Sequence, residues 1–273
     1  MSKYYWHELT TVDFQNLDSS NIAILPIGAI EQHGPHLPVW TDTRIVNGII
    51  ECFLTEGTDS ANVLVLPTQT IGQSLEHLDF PGSLALSPDI LLEIFKQLTA
   101  NLTAVGIRRL LILNSHGGNQ SVISEAILAL RRRYSMLAVA TSWFALGVPK
   151  GIFNDYEMSL GLHSGAIETS LMLHLEPDLV RRDQMPKGKL KPFVLESKDS
   201  LLNPFGPANF GWLSQDISET GAWGDATIAT AQKEKGEQIL KHIVGRLCEL
   251  VEQIAQFDLS HLQPAAVDPL QQR

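Results

Sequence analysis

Short apolar runs alternate with longer stretches of helical periodicity through most of this 273-residue chain, and no other property narrows its fold so far. The alternation predicts repeated βα units around a largely parallel sheet, an α/β fold. Runs at 22–28, 62–68, 109–114 and 136–142 are rich in isoleucine, leucine and valine and read as buried strands. Between them, 43–56, 87–105 and 119–134 carry apolar residues at helical spacing, with Ser87-Pro88-Asp89 as a helix start. A last amphipathic helix is predicted over 225–257, with Ile228, Ile239, Ile243, Leu247 and Val251 along one face and Asp225 as its N-cap. Periodicity lapses over 149–162 and again over 186–224, where prolines and glycines recur. An irregular stretch of that length inside a compact chain is expected to cover a site or to contact another subunit. The predicted organisation is one domain over 1–258 and a frayed tail over 259–273.

Charge and cysteine usage exclude several partner classes. A formal net charge of −10 argues against nucleic acid or an anionic membrane surface as a partner. The N-terminus lacks an apolar leader core, and no later apolar stretch reaches the ~20 residues of a membrane span, so a cytoplasmic protein is expected. Cys52 and Cys248 lie far apart in apolar helical patterns and read as reduced core thiols.

Three stretches carry the chemistry. The first follows the run 22–28 and supplies Glu31, His33, His36 and Asp42 within a dozen residues. Ligands bind at the carboxyl ends of strands in open α/β sheets, and Glu31 and His33, two apart on an extended segment, point the same way. The second is Asn114-Ser-His-Gly-Gly-Asn119, again a strand end followed at once by a histidine. Gly117 and Gly118 allow close approach to His116, and free N–H groups of Gly117, Gly118 and Asn119 at a helix start suit an oxyanion. The third is His163-Ser-Gly-Ala-Ile-Glu168, where a helix starting near Ser164 would bury Glu168 about one turn in. A buried carboxylate needs a cation or strong donors to stay ionised.

Glu31, His33, Asp42, His116 and Glu168 form a nitrogen and oxygen donor set without thiolate, suited to zinc, manganese or iron(II). One bridging carboxylate, for which Asp42 is the candidate, would let the five hold two divalent ions about 3.5–4 Å apart and bring the pKa of water down toward ~7. His36 is either a hydrogen-bond partner of a ligand or structural, and Glu76 and His77 either line the pocket or belong to a surface loop. Arg131, Arg132 and Arg133 read as a solvated helix end.

Glu31-Gln-His-Gly-Pro-His36 with Asp42, Asn114-Ser-His-Gly-Gly-Asn119 and His163-Ser-Gly-Ala-Ile-Glu-Thr-Ser170 resemble the three signatures of the creatininase (creatinine amidohydrolase) family. Glu76-His-Leu-Asp-Phe-Pro-Gly82 and Gly221-Ala-Trp-Gly-Asp-Ala-Thr227 resemble its secondary motifs. The resemblance implies a three-layer α/β/α sandwich, a dinuclear metal centre, hydrolysis of a non-peptide C–N bond, and commonly a hexamer of paired subunits. By position it assigns Glu31 and His116 to one ion, His33 to the other, Asp42 to both, and proton transfer to His163. Two departures bear on substrate. Creatininase proper takes a ligand from a glutamate directly after a tyrosine that follows the second-strand histidine, where this chain has Gly117-Gly118-Asn119. Glu168 would then complete the ligands of the second ion, as in the deformylase and mycofactocin-peptidase branches. Ser159 stands where creatininase covers creatinine with a tryptophan, so another substrate is expected.

The expected function is a metal-dependent amidohydrolase acting on a small-molecule amide. Candidate substrates are a formylaminopyrimidine of riboflavin or deazaflavin synthesis, a short peptide, or another cyclic or linear amide. A non-catalytic, metal-stabilised oligomeric scaffold is the rival from another class. A serine hydrolase is disfavoured by the absence of Gly-x-Ser-x-Gly, and a nucleotide-binding protein by the absence of Gly-x-Gly-x-x-Gly and of a Walker loop.

Overall fold

A computed structural model describes residues 3–57, 61–161, 163–187, 190–197, 200–227 and 229–264. Its strands are β1 (Lys3–Tyr5), β2 (Ile22–Ile27), β3 (Val63–Val65), β4 (Arg109–Asn114) and β5 (Leu137–Ser142). All pair in parallel, in the order β1-β3-β2-β4-β5. The helices are α1 (Thr41–Glu56), α2 (Pro88–Ala104), α3 (Gln120–Tyr134), α4 (Trp143–Leu146), α5 (Asp155–Leu160), α6 (Ala166–Leu175), α7 (Pro192–Glu196), α8 (Ser214–Ile217) and α9 (Lys233–Gln256).

Alternate side chains of the central strands feed two separate cores, as the period of two requires. Ile22, Ile24, Leu111 and Leu113 pack with Ile45, Ile49 and Phe53 of α1, Leu171 and Met172 of α6, and Ile239, Ile243 and Leu247 of α9. Ala23, Leu25, Leu110 and Ile112 pack with Leu91 and Phe95 of α2 and Val122, Ala126 and Leu130 of α3. The chain is therefore the expected α/β/α sandwich, with α1, α6 and α9 on one face of the sheet and α2 and α3 on the other. Cys52 and Cys248 are both free thiols, Cys248 buried and Cys52 half-buried.

Four boundaries differ from the sequence reading, each for a local reason. Strand β1 was not expected: it is a three-residue edge strand without an apolar run. Strand β3 stops at Val65 because Pro67 has no N–H for the ladder, and pairing resumes only at the isolated Ile27–Gln69 bridge. Helix α6 begins at Ala166, since Ser164 sits at φ +55°, outside helical geometry. Helix α9 begins at Lys233, so Asp225 is not its N-cap. The Asp225 carboxylate instead accepts from the backbone of Thr227 at 3.1 Å, and the Thr230 hydroxyl donates to the Asp225 carbonyl at 2.5 Å. Such side-chain bonds offer the backbone an alternative to the helix. Ile228, assigned to that helix, and residues 265–273 of the expected tail lie outside the described residues, whereas Leu259–His261 form a short 3₁₀ turn.

Arg131, Arg132 and Arg133 occupy the last turn of α3, where positive charge favours the helix dipole. Among the described residues no helix is long and apolar enough to cross a membrane.

Candidate metal centre

The order of the sheet locates the site. From β2 the chain moves outward to β3, then returns past β2 to β4, so the winding reverses between β2 and β4. Crevices at the carboxyl ends of such strands bind ligands. The register aligns Ile27 with Asn114, so the loops carrying Glu31, His33 and His116 leave the sheet at one level. Asp42 lies in the first turn of α1 and Glu168 in the first turn of α6.

These five side chains are all buried and converge. His116 Nδ1 lies 3.1 Å from Glu31 Oε2 and 3.5 Å from Asp42 Oδ2. His33 Nε2 lies 3.4 Å from Asp42 Oδ1 and 3.9 Å from Glu168 Oε2. Two donor triads of metal-binding size result, Glu31–Asp42–His116 and His33–Asp42–Glu168, with Asp42 in both. A third, Glu31–His33–His163, overlaps them.

Backbone carbonyls fix which imidazole nitrogens face the centre. His33 Nδ1–H donates to the Glu31 carbonyl at 3.1 Å and His116 Nε2–H to the Gln73 carbonyl at 2.9 Å. A carbonyl only accepts, so in the neutral rings His33 Nε2 and His116 Nδ1 carry the lone pairs, directed inward. Glu31 Oε1, His33 Nε2 and Asp42 Oδ2 are buried with no hydrogen-bond partner. Buried polar atoms left unpaired cost about 1–3 kcal/mol each, a cost that a coordinated cation removes. Three carboxylates, two imidazoles and these orphaned atoms form a donor set that could hold divalent metal.

Electrostatics point the same way. Burial opposes charge on His33, but Asp42, Glu168 and Glu31 outweigh it and push the imidazole up to about 10. His116 is likewise held well above the usual histidine range, burial being outweighed by Glu31, Glu76 and Asp42. Glu168 is pushed up to about 7 by burial, despite His33 nearby. The cluster therefore draws positive charge toward itself.

His163 lies beside the triads, its ring 4.3 Å from that of His33 and its Nδ1 3.5 Å from Glu31 Oε1. Its Nε2–H donates to the Gln32 carbonyl at 2.9 Å. Burial first, then His33 and His77, hold this imidazole well below the usual histidine range. His77 and Glu76 both line the cavity, His77 Nε2 at 3.6 Å from Glu31 Oε1 and Glu76 Oε1 at 3.5 Å from His116 Nε2. His36 is set apart from the ligand atoms: its Nε2 meets the Thr169 hydroxyl at 2.8 Å, and its carbonyl accepts from Arg181. It ties the loop to α6.

The glycine pair serves differently at its two positions. A Cβ on Gly118 would stand 2.7 Å from the Gln73 carbonyl and overlap Glu76 and His116, whereas Gly117 has open space beside it. Both line the cavity, but Asn119 does not. The Asn119 N–H donates to the His116 carbonyl at 3.3 Å. Its side-chain amide donates to the Gly28 carbonyl at 3.0 Å and its oxygen accepts from Gln73 N at 2.8 Å. Asn119 therefore holds strand ends together and is corrected out of the oxyanion group.

Several residues escaped the sequence reading. Ser74 donates to Glu31 Oε2 in a short hydrogen bond. The Gln32 amide accepts from Gly34 N at 2.9 Å and donates to Ser214 at 3.1 Å, with His77 Nδ1 at 2.9 Å. Its position between two candidate ligands, Glu31 and His33, is the signal in the sequence. Glu157, on α5, is buried and accepts from Ile167 N at 3.2 Å and Asp225 N at 3.1 Å. Burial pushes its carboxyl up. Above the cluster opens a cavity of about 530 Å³ with Trp143, Phe205, Trp212 and Trp223 in its walls. Three of these come from the irregular 186–224 stretch, which thus covers the site. Trp143 directly follows β5, a third strand end.

The chain resembles known proteins in sequence and in fold. The family model described as creatinine amidohydrolase matches residues 7–251. The mycofactocin precursor peptide peptidase of Mycolicibacterium smegmatis is 30% identical over 228 residues, 82% of this chain and 81% of that protein. The creatinine amidohydrolase of Pseudomonas putida is 30% identical over 247 residues, 84% of this chain and 88% of that protein. A provisionally assigned creatinine amidohydrolase from Bacteroides fragilis superposes with a TM-score of 0.77 at 27% identity, covering 95% of this chain and 99% of that one. With a family model spanning most of the chain and the matching fold, the chain belongs to the creatininase (creatinine amidohydrolase) family of hydrolases.

Proposed function

We propose that this chain hydrolyses the C–N bond of a small-molecule amide other than a peptide, using two divalent ions held by Glu31, His33, Asp42, His116 and Glu168. The observation carrying this reading is the pair of donor triads that share Asp42. When bound, the ions would supply Lewis acidity, lowering the pKa of water and polarising the scissile carbonyl. The chain's own groups do the rest. Carbonyl hydrogen bonds hold His33 and His116 in the ligating tautomer. With Nε2–H committed to the Gln32 carbonyl, His163 keeps Nδ1 for a proton. As water adds to the carbonyl carbon, that nitrogen takes a proton and returns it to the departing nitrogen, so the C–N bond breaks to an acid and an amine. Gly117 and Gly118, which border the cavity, are the remaining oxyanion candidates.

The Glu31–His33–His163 triad favours a second reading in which His163 is itself a ligand. Substituting it separates the two. His163→Asn in protein carrying its native metal should lower turnover about 100-fold or more and leave ion content unchanged. Loss of an ion would make it a ligand. The substrate panel pairs metal analysis with formamides, lactams, small amides and a dipeptide amide, since the M. smegmatis relative is named a peptidase. A chelator should abolish turnover; persistence of hydrolysis after complete metal removal would overturn the metal-dependent reading.

Homo-oligomerisation is also proposed. Exposed Phe193, Leu195, Leu201, Leu202, Phe210 and Leu213 on one irregular stretch support it.

A further inference from the structure

The cavity is far roomier than a formyl group requires, and its walls are chemically one-sided. Trp212 and Trp223 meet edge to face at 5.2 Å, and Phe205 packs on both at 5.6 and 5.3 Å. Trp223 in turn lies 5.3 Å from the His163 ring. A continuous aromatic surface therefore runs from Phe205, 37% exposed, down to the proton-handling histidine. Cavities of about 300–1,000 Å³ lined this way bury ligands of drug size, and aromatic walls favour flat apolar groups.

The charged wall residues outside the ligand set are carboxylates. Glu76 and Glu157 border the cavity, and no lysine or arginine is among the described residues lining it. The Glu157 carboxylate is fixed by two backbone N–H groups, so it cannot swing away without leaving them unpaired. A phosphate or carboxylate substituent entering here would lose its hydration and meet the carboxyl oxygens of Glu76 and Glu157 in place of the arginine or lysine that normally receives it.

We propose that the site takes uncharged or cationic amides bearing a flat hydrophobic group, seated against Phe205, Trp212 and Trp223 with the scissile bond at His163, and rejects anionic ones, phosphorylated substrates included. This rests on the amidohydrolase reading above. Selection is achieved partly by exclusion, since the carboxylates disfavour one charge class whatever the fit of its ring.

The test uses the full-length, metal-loaded protein and four probes. Three are N-formylbenzylamines with hydrogen, aminomethyl or sulfonate in the para position; the fourth is N-methylformamide, which lacks the ring. Sulfonate is anionic yet a poor metal ligand, so it reports on the walls. Quenching of the cavity tryptophans reads binding, and amine release reads turnover. The neutral and cationic ring probes should bind about tenfold or more tightly than the sulfonate or the ringless formamide. Phe205→Lys, at a partly exposed position, should raise sulfonate affinity about tenfold and weaken the neutral probe. A sulfonate that binds as tightly as the neutral probe, or a ring that makes no difference, overturns the inference. If amine is released without this ranking, the cavity inference fails and the hydrolase reading survives. If the ranking holds but no amide of the wider panel is cleaved with any divalent ion, the hydrolase reading is the one that fails.

Discussion

Asp42 is the position at which the proposed two-ion arrangement is most exposed to refutation, because it alone belongs to both of the triads that would divide the five ligands between two ions. An ion present at 100 times its dissociation constant stabilises the native state by about 2.7 kcal/mol. For a chain of this size 1 kcal/mol corresponds to about 2 °C in Tm, so each ion should contribute about 5 °C and the pair about 10 °C. Glu168→Ala leaves Glu31–Asp42–His116 intact and should keep about one ion and half of that increment. Asp42→Ala damages both triads and should bring chelator-treated and metal-loaded protein to within about 2 °C of each other. Thermal unfolding with and without chelator, beside elemental analysis of the same samples, reads both quantities. Two ions retained in Asp42→Ala would refute the sharing. One ion retained there and lost on adding His163→Asn would move the metal to the Glu31–His33–His163 triad.

Two further predictions concern the surroundings of the centre. Gly221 sits at φ +79° with its missing Cβ directed at the Gln32 side chain. Gly221→Ala should therefore cost about 1–3 kcal/mol and lower Tm by several degrees, and an unchanged melting curve would show that the loop relaxes freely. His36 is pushed down to about 4, by burial first and by His33 second. Its folded pKa lies below its unfolded one, so the stability it confers is complete above about pH 6.5 and is lost as pH falls toward 4, amounting to about 3 kcal/mol. Denaturant titrations from pH 7 to 4.5 should show a shallower acid decline for His36→Asn than for the native chain; equal slopes would remove His36 from the account.

How legible the fold was follows from what each segment is stabilised by. Strands β2 and β4 are buried on both faces, and that burial writes itself as the runs Ile22–Ile27 and Arg109–Asn114. Helix α2 announces its start through Ser87 and Pro88. Strand β1, held by pairing with β3 at the sheet edge, leaves no such mark over three residues. The start of α9 was misplaced because Thr227 and Thr230 bond to Asp225, a competition between side chain and helix that periodicity does not register.

The residues proposed to hold metal and the cavity divide along the same line. Glu31, His33 and His116 sit immediately beyond the ends of adjacent parallel strands, so chain position nearly determines spatial position once the sheet is assigned. Glu168 was found by another route, as a carboxylate that helical periodicity buries among apolar neighbours. The substrate side has no comparable code. Phe205, Trp212 and Trp223 reach the cavity along an irregular stretch, and Glu157 is drawn in by the N–H groups of Ile167 and Asp225, the latter 68 residues away. Contacts of that kind depend on how loops close over a finished sheet, not on local pattern. On the proposed reading, the reaction chemistry is anchored to the part of the fold that sequence specifies most directly, while substrate choice resides in loops that can change without disturbing the proposed ligands. Exchanging the aromatic loop residues should therefore alter which amide is bound and leave the ion content of the protein as it was.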